Sequence, residues 1–375
     1  MTGPLAGIRV IEVGHMLAGP YCGLLLADMG AEVIKIEPPE GDIARKVSPH
    51  FVGPHNAYFA SLNRNKKSVV LDLASSEGRA ELEAIARNAH ALITNLRPSA
   101  IKKLGLTYQG LRECNPKIVC VALTGYGLDG PFAENPAYDY VIQAVTGVMA
   151  LTGDPSAPPT KAGYSAVDNS AGIMAAMGLL AKIVEGRGGQ VDVSMHDVMM
   201  SQLNYLAGAA LNTGEVVERL ANSSHPYMVP AQIFPTADGW LTLFITHDKF
   251  WQKFCVEVGQ PGWIDDPMFA TMASRRANRG PVLAAIGEVL MQQPAAEWVR
   301  RLAPLGLVVS EVGTLAQALD SDLTRSRDLV VQLGEGEYPL RAVGSPVKFE
   351  GFVPHYGLPP LLNEHHDEVV RKAAA

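Results

Sequence analysis

Residues 8–37, IRVIEVGHMLAGPYCGLLLADMGAEVIKIE, are the stretch that decides the fold. Residues 8–13 are rich in β-branched side chains, which predicts a strand, and residues 32–37 repeat that pattern. Between the two strands, Pro20 suits the first turn of a helix and Gly30 suits its end. A strand, a helix and a second strand in this order are typical of a parallel sheet with a right-handed crossover.

The alternation of strand and helix patterns continues beyond this first unit. A long helix pattern at 169–185 is apolar on nearly all sides, so we expect that helix to be buried. The remaining predicted strands are 68–73, 91–95, 117–123 and 190–194, and the remaining predicted helices are 77–88 and 196–211. This order predicts an α/β fold with a parallel sheet flanked by helices.

The order of the predicted elements changes after residue 212, from alternating strands and helices to a hairpin followed by helices. Asp238-Gly239 is a hairpin signal between two strand patterns, at 231–234 and 240–246. Amphipathic helix patterns follow, which predicts a smaller α+β domain over 225–318. The predicted helices are 248–258, 281–291 and 295–302, the large domain is 1–200 with 325–375, and the linkers are 201–224 and 319–324.

The composition excludes several classes of protein. The chain has 375 residues, 47% of them hydrophobic, which is enough apolar material for a large core and argues against disorder. Its net charge of −7 carries no clustered basic face, so a nucleic-acid partner is not expected. The four cysteines lack CxxC spacing, as is typical of reduced thiols in a cytoplasmic protein. We expect no membrane partner, because the near-apolar stretch 171–181 is too short to span a bilayer.

Two glycine-containing turns are candidate ligand sites. Residues 125–130 match G-x-G-x-x-G after a strand, but Pro131 and Pro136 stand where a dinucleotide-binding helix would begin. A glycine loop beside some other ligand remains open. Residues 14–19 join the first strand to its helix, at the edge of the sheet where α/β folds bind ligands. That turn is either an anion site at a helix start or an ordinary tight turn with His15 on its surface.

Asp168 precedes the long apolar helix pattern, and two roles are open for it. The pattern alone favours an N-cap, a task that Asn169 or Ser170 could share. A carboxylate at a helix N-terminus is also stabilised as an anion, and an ionised carboxylate can attack an activated acyl group. The histidines show no metal-ligand spacing, and no G-x-S-x-G elbow supports a serine nucleophile. His365 and His366 lie in a tail for which we expect no chemical role.

Several motifs in order along nearly the whole chain resemble the family III CoA-transferases (the CaiB/BaiF family), which include formyl-CoA transferase and carnitine CoA-transferase. Asp168 stands where that family has its catalytic aspartate, ahead of a helix and the strand GGQVDVS at 188–194. The other matching pieces are LAGIRV at 5–10, AGP at 18–20, GAEVIKIE at 30–37, Gly41-Asp42 through Arg45, NRNKKS at 63–68, NLRP at 95–98, Tyr138-Asp139 through Gln143-Ala144, and FPT with DGW at 234–240.

The resemblance implies a Rossmann-like large domain built from both chain ends, a small domain from the middle, and an interlaced homodimer. It implies that coenzyme A moves from an acyl-CoA to a free carboxylic acid through an aspartyl anhydride and an aspartyl-CoA thioester on Asp168. Acyl-CoA is then a substrate, and no permanently bound cofactor is required. The implied substrate pocket contains His15, Leu17, Tyr138 and Asp139, and the implied CoA contacts are Ala18, Leu71, Asn95, Leu96 and Lys103.

Three departures from the family pattern affect the expected site. Pro38 replaces an arginine found in many members, so Arg45 or Lys66 would have to supply that charge. The segment 222–230 lacks the glycine-rich loop of formyl-CoA transferase, which argues against formate or oxalate specificity. Leu17 replaces a glutamine of that enzyme, which makes the pocket wall more apolar. The sequence does not name the acid.

A 2-methylacyl-CoA racemase of the same fold is the alternative function. Such racemases carry a histidine where this chain has Tyr138, because racemisation needs an acid and a base on opposite faces of the α-carbon. An ordinary tyrosine is a poor base near neutral pH, so we favour the transferase.

Overall fold

The computed structural model describes residues 3–335 and 337–374, so residues 1, 2, 336 and 375 of the predicted large domain lie outside the described residues. The chain divides into two compact units. The first unit runs through Thr146, resumes at Gly163–Ala207 and continues from Ser321 onward. The second unit comprises Gly147–Ala162 and Gly208–Asp320.

The strands and helices follow in chain order. The strands are β1 (Arg9–Val13), β2 (Glu32–Glu37), β3 (Phe51–Val52), β4 (His55–Asn56), β5 (Lys66–Val70), β6 (Ala91–Thr94), β7 (Val119–Thr124), β8 (Gly189–Ser194), β9 (Ala231–Pro235), β10 (Trp240–Phe244), β11 (Val308–Glu311), β12 (Val330–Leu333) and β13 (Leu340–Val343). The helices are α1 (Ala18–Asp28), α2 (Ala44–Val47), α3 (Ala57–Asn63), α4 (Ser76–Arg87), α5 (Pro98–Lys103), α6 (Tyr108–Leu111), α7 (Asp139–Val145), α8 (Val148–Leu151), α9 (Ala166–Glu185), α10 (Met195–Gln202), α11 (Asn204–Thr213), α12 (Asp248–Glu257), α13 (Met272–Ala277), α14 (Arg279–Leu290), α15 (Ala295–Leu302), α16 (Leu315–Leu319), α17 (Asp322–Ser326) and α18 (His366–Ala374). Short 3₁₀ helices lie at Ala221–Ser223, Pro261–Ile264 and Ala303–Leu305.

The first unit is built on a six-stranded parallel sheet in the order β5-β2-β1-β6-β7-β8. In its centre, Ile11 of β1 is level with Ile34 of β2 and Leu92 of β6, and all three side chains are buried. Such β-branched and apolar runs are what a sheet covered on both faces requires. Strands of this sheet end at one edge beside the turn before α1, where α/β folds bind ligands. The predicted α/β fold with a parallel sheet is confirmed.

Helix α9 differs from its prediction in two ways. It begins at Ala166 rather than at residue 169, and it is not buried on nearly all sides. Ile173 is 49% exposed, Met177 is 60% exposed and Val184 is 86% exposed, so one apolar side of the helix faces outward in the single chain. Among the described residues, α9 is also long and apolar enough to cross a membrane by length and composition, a test that core helices of soluble proteins pass as well.

The C-terminal segment also differs from its prediction, because the residues around His365 and His366 do not form a free tail. The amide of His365 donates to the carbonyl of Ser68, and the amide of Ser68 donates to Nδ1 of His365. Helix α18 then packs against α4, and Val369 is buried in the core beneath the sheet. His365 and His366 therefore anchor the chain end structurally.

The second unit contains an antiparallel sheet in the order β11-β10-β9. The predicted hairpin through Asp238-Gly239 is present, with Leu241 paired with Phe234 across it. Helices α12, α14 and α15 contribute to the core of this unit, in which Trp251 and Trp298 are almost fully buried. The domain limits drawn from the sequence remain a prediction.

Candidate functional site

The turn between β1 and α1 is held in place by side chains from elsewhere in the chain. The amide of His15 donates to Oδ1 of Asn95, and Nδ2 of Asn95 donates back to the carbonyl of His15, both at 3.0 Å. The amide of Met16, a residue at a φ of 61°, donates to Oδ1 of Asp42. A Cβ on Gly14 would lie 2.3 Å from Asn95 Oδ1, so this close approach requires glycine. The backbone of the turn is fixed independently of its own side chains.

A buried ionic network lies beneath the turn. Nζ of Lys35 contacts Glu12 and Asp42 at 2.9 Å each and donates to the carbonyl of Gly14 at 3.0 Å. Nζ of Lys66 contacts the other oxygen of Glu12 at 2.7 Å. Burial alone would raise the pKa of Glu12, but the two lysines together hold it below its usual range. Buried charges that are paired in this way fix the relative positions of β1, β2 and β5.

The two cations proposed to replace the missing arginine at position 38 are both engaged. Lys66 is fully buried against Glu12. Arg45 donates to both oxygens of Glu37 at 2.7 and 2.8 Å and lies over the ring of Phe59. Lys66 is therefore not available to a ligand, while the part of Arg45 in place of the missing arginine stays a prediction.

Asp168 is the third residue of α9, and the N-cap position belongs to Ser165. The cap interpretation of Asp168 is therefore wrong, and so is the suggestion that Asn169 or Ser170 shares it. A carboxylate in the first turn of a 20-residue helix is stabilised as an anion by the helix dipole. Asp168 is half-buried and lines a cavity of about 160 Å³. The predicted residues that line the same cavity are His15, Leu17, Ala18, Asn95, Leu96 and Tyr138.

Asp139 is absent from the lining of this cavity, although Tyr138 beside it lines the cavity with 65% of its surface exposed. Asp139 is buried, its Oδ1 accepts the amide of Val167 at 2.9 Å and its Oδ2 accepts Nε2 of Gln143 at 2.6 Å. Because Val167 immediately precedes Asp168, Asp139 holds the first turn of α9 and with it the Asp168 backbone.

A second cavity, of about 480 Å³, adjoins the first, and His15 and Leu96 line both. Its walls are mostly apolar and include Leu71, Pro38 and Leu104. Lys103 is exposed at the end of α5, next to Leu104, and lies in neither lining. The structure thus places all the predicted residues in the first unit, while Asp139 and Lys103 lie outside both linings.

Two side chains that sequence reasoning missed also face the smaller cavity. Tyr58 belongs to α3, and burial together with the nearby charge of Asp168 raises its pKa. Arg97 precedes α5 and is exposed. No spacing rule connects Tyr58 to Asp168, because only the folded sheet brings α3 beside α9. Arg97 stands in the quoted motif NLRP, which was the available signal.

The surroundings of His15 favour the neutral form of its imidazole. Burial disfavours the imidazolium and lowers the pKa of His15, and Lys35 lowers it further, while Asp42 opposes both effects. A neutral imidazole can donate or accept one hydrogen bond at each nitrogen according to its tautomer.

Several backbone amides of the glycine-containing turn at 125–130 and of the residue after Asp168 are engaged within the chain. The amide of Gly127 donates to Oγ1 of Thr124, that of Leu128 donates to Asp192, and that of Asn169 donates to the carbonyl of Ser165. The amides of Leu17 and Ala18, at the start of α1, have no acceptor within the part of the chain that the structure describes. Leu17 and Ala18 both line the cavity that Asp168 also lines. No cluster of metal-ligating side chains occurs within residues 3–335 and 337–374.

Comparison with known proteins gives consistent matches over the whole chain. The profile of CoA-transferase family III matches residues 5–366. Acetyl-CoA:oxalate CoA-transferase of Acetobacter aceti is 34% identical and covers 100% of this chain and 96% of its own length. Succinate–glutarate CoA-transferase of Agrobacterium fabrum is 33% identical and covers 98% and 95%. The crystal structure of a CaiB/BaiF family protein from Brucella suis has a TM-score of 0.88 at 30% identity, with 100% of both chains covered.

Proposed function

The chain belongs to CoA-transferase family III, and from that premise we propose that Asp168 carries the acyl group and then coenzyme A during transfer. The chain is an enzyme of the CoA-transferase class, with acyl-CoA as a substrate. The observation that carries the proposal is the position of Asp168, an N-terminal carboxylate of α9 that opens into a cavity shared with the turn before α1.

The proposed reaction has two halves, one for the donor and one for the acceptor, and each half consists of two displacements at a carbonyl carbon. A carboxylate oxygen of Asp168 attacks the thioester carbonyl of the donor, the carbon–sulfur bond breaks, and a mixed anhydride forms with release of the CoA thiolate. The thiolate attacks the aspartyl carbonyl, which expels the donor acid and leaves an aspartyl-CoA thioester. The acceptor carboxylate attacks that thioester, and the released thiolate then takes the acceptor acyl group and regenerates Asp168.

Three features of the cavity support this sequence. The amides of Leu17 and Ala18 lie at the N-terminus of α1, where free N–H groups favour anions. They can therefore donate to the developing oxyanion or to the CoA thiolate. Arg97 offers a positive charge to the acceptor carboxylate or to the CoA diphosphate. The adjoining cavity, with His15 and Leu96 in common, has room for the nucleotide end of CoA. This chemistry requires no tightly bound cofactor.

We also propose that the chain acts as an interlaced homodimer, as the family resemblance implies. The outward apolar side of α9 includes Ile173 and Met177, and α7, which packs against α9, carries the exposed apolar side chains Tyr140 and Val145. Large apolar side chains grouped in this way are typical of a surface that a partner covers. A cytoplasmic location, where CoA thioesters are made and used, fits the four free cysteines.

The test is the behaviour of Asp168→Asn. Asparagine cannot form the anhydride, so transfer should fall by at least about 10³-fold, while the protein stays folded because asparagine closely matches aspartate in size and shape. Asp197→Asn is the matched control, since Asp197 is an acidic residue in the first turn of α10 and 79% of its side chain is exposed. Transfer is measured by mass spectrometry of CoA esters, with a panel of acids that includes oxalate, succinate, glutarate and mesaconate.

A trapped intermediate gives an independent reading. Hydroxylamine added with an acyl-CoA donor should convert the activated aspartyl group into a hydroxamate on the peptide that contains Asp168, and it should do so only with donor present. Full activity of Asp168→Asn, or a donor-dependent label on another residue, contradicts the mechanism. Catalytic exchange of the α-hydrogen of 2-methylacyl-CoA with deuterium would favour the racemase instead.

A further inference from the structure

The charges that line the larger cavity are unusual for a site that receives a nucleotide. Among the described residues of the lining there are three carboxylates, Glu37, Asp42 and Asp72, and no lysine or arginine. Glu37 is paired with Arg45, and Asp42 is paired with Lys35. Asp72 is exposed, and its Oδ1 accepts the amide of Ala74 at 3.0 Å. The rim of the cavity at Asp72 therefore presents a negative charge.

The next step rests on the proposed function: with the thioester at Asp168, the 3′-phosphate at the other end of CoA would reach the larger cavity or its mouth. The thioester lies at Asp168 in the smaller cavity. The pantetheine arm passes His15 and Leu96, which line both cavities. The adenosine end would then occupy the larger cavity, whose lining includes Pro38, Asp72 and Ala74.

The cations of this region are directed elsewhere. Lys35 and Lys66 are fully buried in the ionic network, and Arg45 donates to Glu37 and to the carbonyl of Pro360. Lys46 lies outside the lining, with its Nζ 3.5 Å from the carbonyl of Glu40. Lys103 also lies outside it, on the α5 side next to Leu104.

We propose that this enzyme does not recognise the 3′-phosphate of CoA, and that it binds 3′-dephospho-CoA and its thioesters about as well as CoA itself. A cation that contacts a phosphate directly contributes roughly ten- to a hundredfold in affinity. Pro38 and Ala74 are lining positions at which a basic side chain would add a positive charge to the cavity. Their small uncharged side chains, and the carboxylate of Asp72 in the same lining, offer the phosphate no such contact.

The test compares the dissociation constants of CoA and 3′-dephospho-CoA for the full-length protein by titration calorimetry. We expect the two values to differ by less than about tenfold, because no charged contact distinguishes the ligands. A dissociation constant for 3′-dephospho-CoA that is tenfold or more above that of CoA overturns the inference, as does failure of both ligands to bind.

Three variants sharpen the result. Lys103→Ala should leave the ratio of the two dissociation constants unchanged, and a loss confined to CoA would show that Lys103 contacts the 3′-phosphate and overturn the inference. Ala74→Lys should strengthen binding of CoA by about tenfold and leave 3′-dephospho-CoA unchanged; an equal change for both contradicts the assigned position. Ser326→Lys, which adds the same charge at the end of α17 outside the cavity, should change neither constant.

Binding and turnover separate this inference from the proposed function. A protein that binds both nucleotides equally but transfers no acyl group supports the inference and contradicts the proposed function. A protein that transfers from acyl-CoA but binds 3′-dephospho-CoA tenfold or more weakly supports the function and overturns the inference.

Discussion

Both carboxylate oxygens of Asp139 accept hydrogen bonds from its own chain, from Val167 and from Gln143. Asp139 is therefore a positioning residue. Asp139→Ala leaves the buried amide of Val167 without its acceptor, so we expect a stability loss of about 1–3 kcal/mol and a fall in kcat of at least about tenfold. Asp139→Asn keeps an oxygen for Val167, and Gln143 can turn its amide oxygen toward the new NH₂ group. We therefore expect Asn to retain most of the activity with KM unchanged. An Asn variant as inactive as Ala would show that the carboxylate itself takes part in the chemistry.

Glu12 is the buried residue whose loss should cost most stability. Glu12→Gln leaves Lys35 and Lys66 with one neutral partner between them, and breaking a buried ionic group in this way costs about 3–5 kcal/mol. Glu32→Gln is the matched control, because Glu32 also pairs with two basic residues but is partly exposed, and it should cost about 1 kcal/mol or less. Chemical denaturation measures both. Equal losses would mean that burial does not govern the strength of these pairs.

At the residue scale, the sequence predicts identities better than roles. Asp168, His15 and Leu17 do line one cavity, but Asp168 is no helix cap. The helix starts three residues earlier because its first turn is held by Asp139, 29 positions before Asp168, and a contact of that separation has no local signal. Asn95 was expected to touch CoA, yet its side-chain amide is occupied by the turn at His15.

The crossing of α1 and α9 determines how the two helix starts meet at the cavity. Gly172 lies one turn after Asp168, and a Cβ there would be 2.9 Å from the carbonyl oxygen of Ala18 and 3.0 Å from the ring of Tyr21. Gly172→Ala should therefore push the helices apart, cost about 1–3 kcal/mol and lower kcat. Gly287→Ala in α14 is the control, since its Cβ meets nothing within 4 Å, and it should stabilise by about 0.5–1 kcal/mol. Thermal unfolding and transfer assays check both, and an unchanged kcat in Gly172→Ala would show that the crossing tolerates the methyl group.

At the element scale, long periodic segments were predictable and short ones were not. Strand β2 has the predicted limits, because its run of apolar and β-branched residues favours a buried strand over any other structure. Strand β5 was predicted from residue 68 but begins at Lys66, because pairing with Glu12 allows a lysine to lie inside the sheet. The hairpin of β3 and β4 and the helix α2 are too short for any periodicity to indicate them.

For the whole molecule, the exposed apolar side of α9 predicts assembly. Met177→Asp places a charge in the proposed dimer interface, so we expect a shift from dimer toward monomer together with a loss of activity. Val353→Asp is the control, because Val353 is 86% exposed in the C-terminal segment and lies outside this helix group. Light scattering coupled to size-exclusion chromatography measures the mass. A monomeric, fully active unaltered protein at micromolar concentration would refute the assembly.

The large-scale arrangement was predictable from the sequence only in part. Periodicity predicted a parallel sheet, but not that the last helix returns to it. The return depends on His365 and Ser68, nearly 300 positions apart, which exchange two hydrogen bonds. The burial of α9 was overestimated because apolarity on all sides does not say whether the same chain or a partner covers it.

The turn between β1 and α1 has a consequence for how enzymes of this kind diversify. Its backbone is fastened by Asn95 and Asp42, which are encoded far from it, so the path of the chain does not depend on the side chains of Met16 and Leu17. Mutations at those two positions can alter the cavity wall without loosening the scaffold. Substitutions of Asn95, Asp42 or Gly14 should instead displace the turn itself, because the hydrogen bonds or the close approach that hold it would be lost.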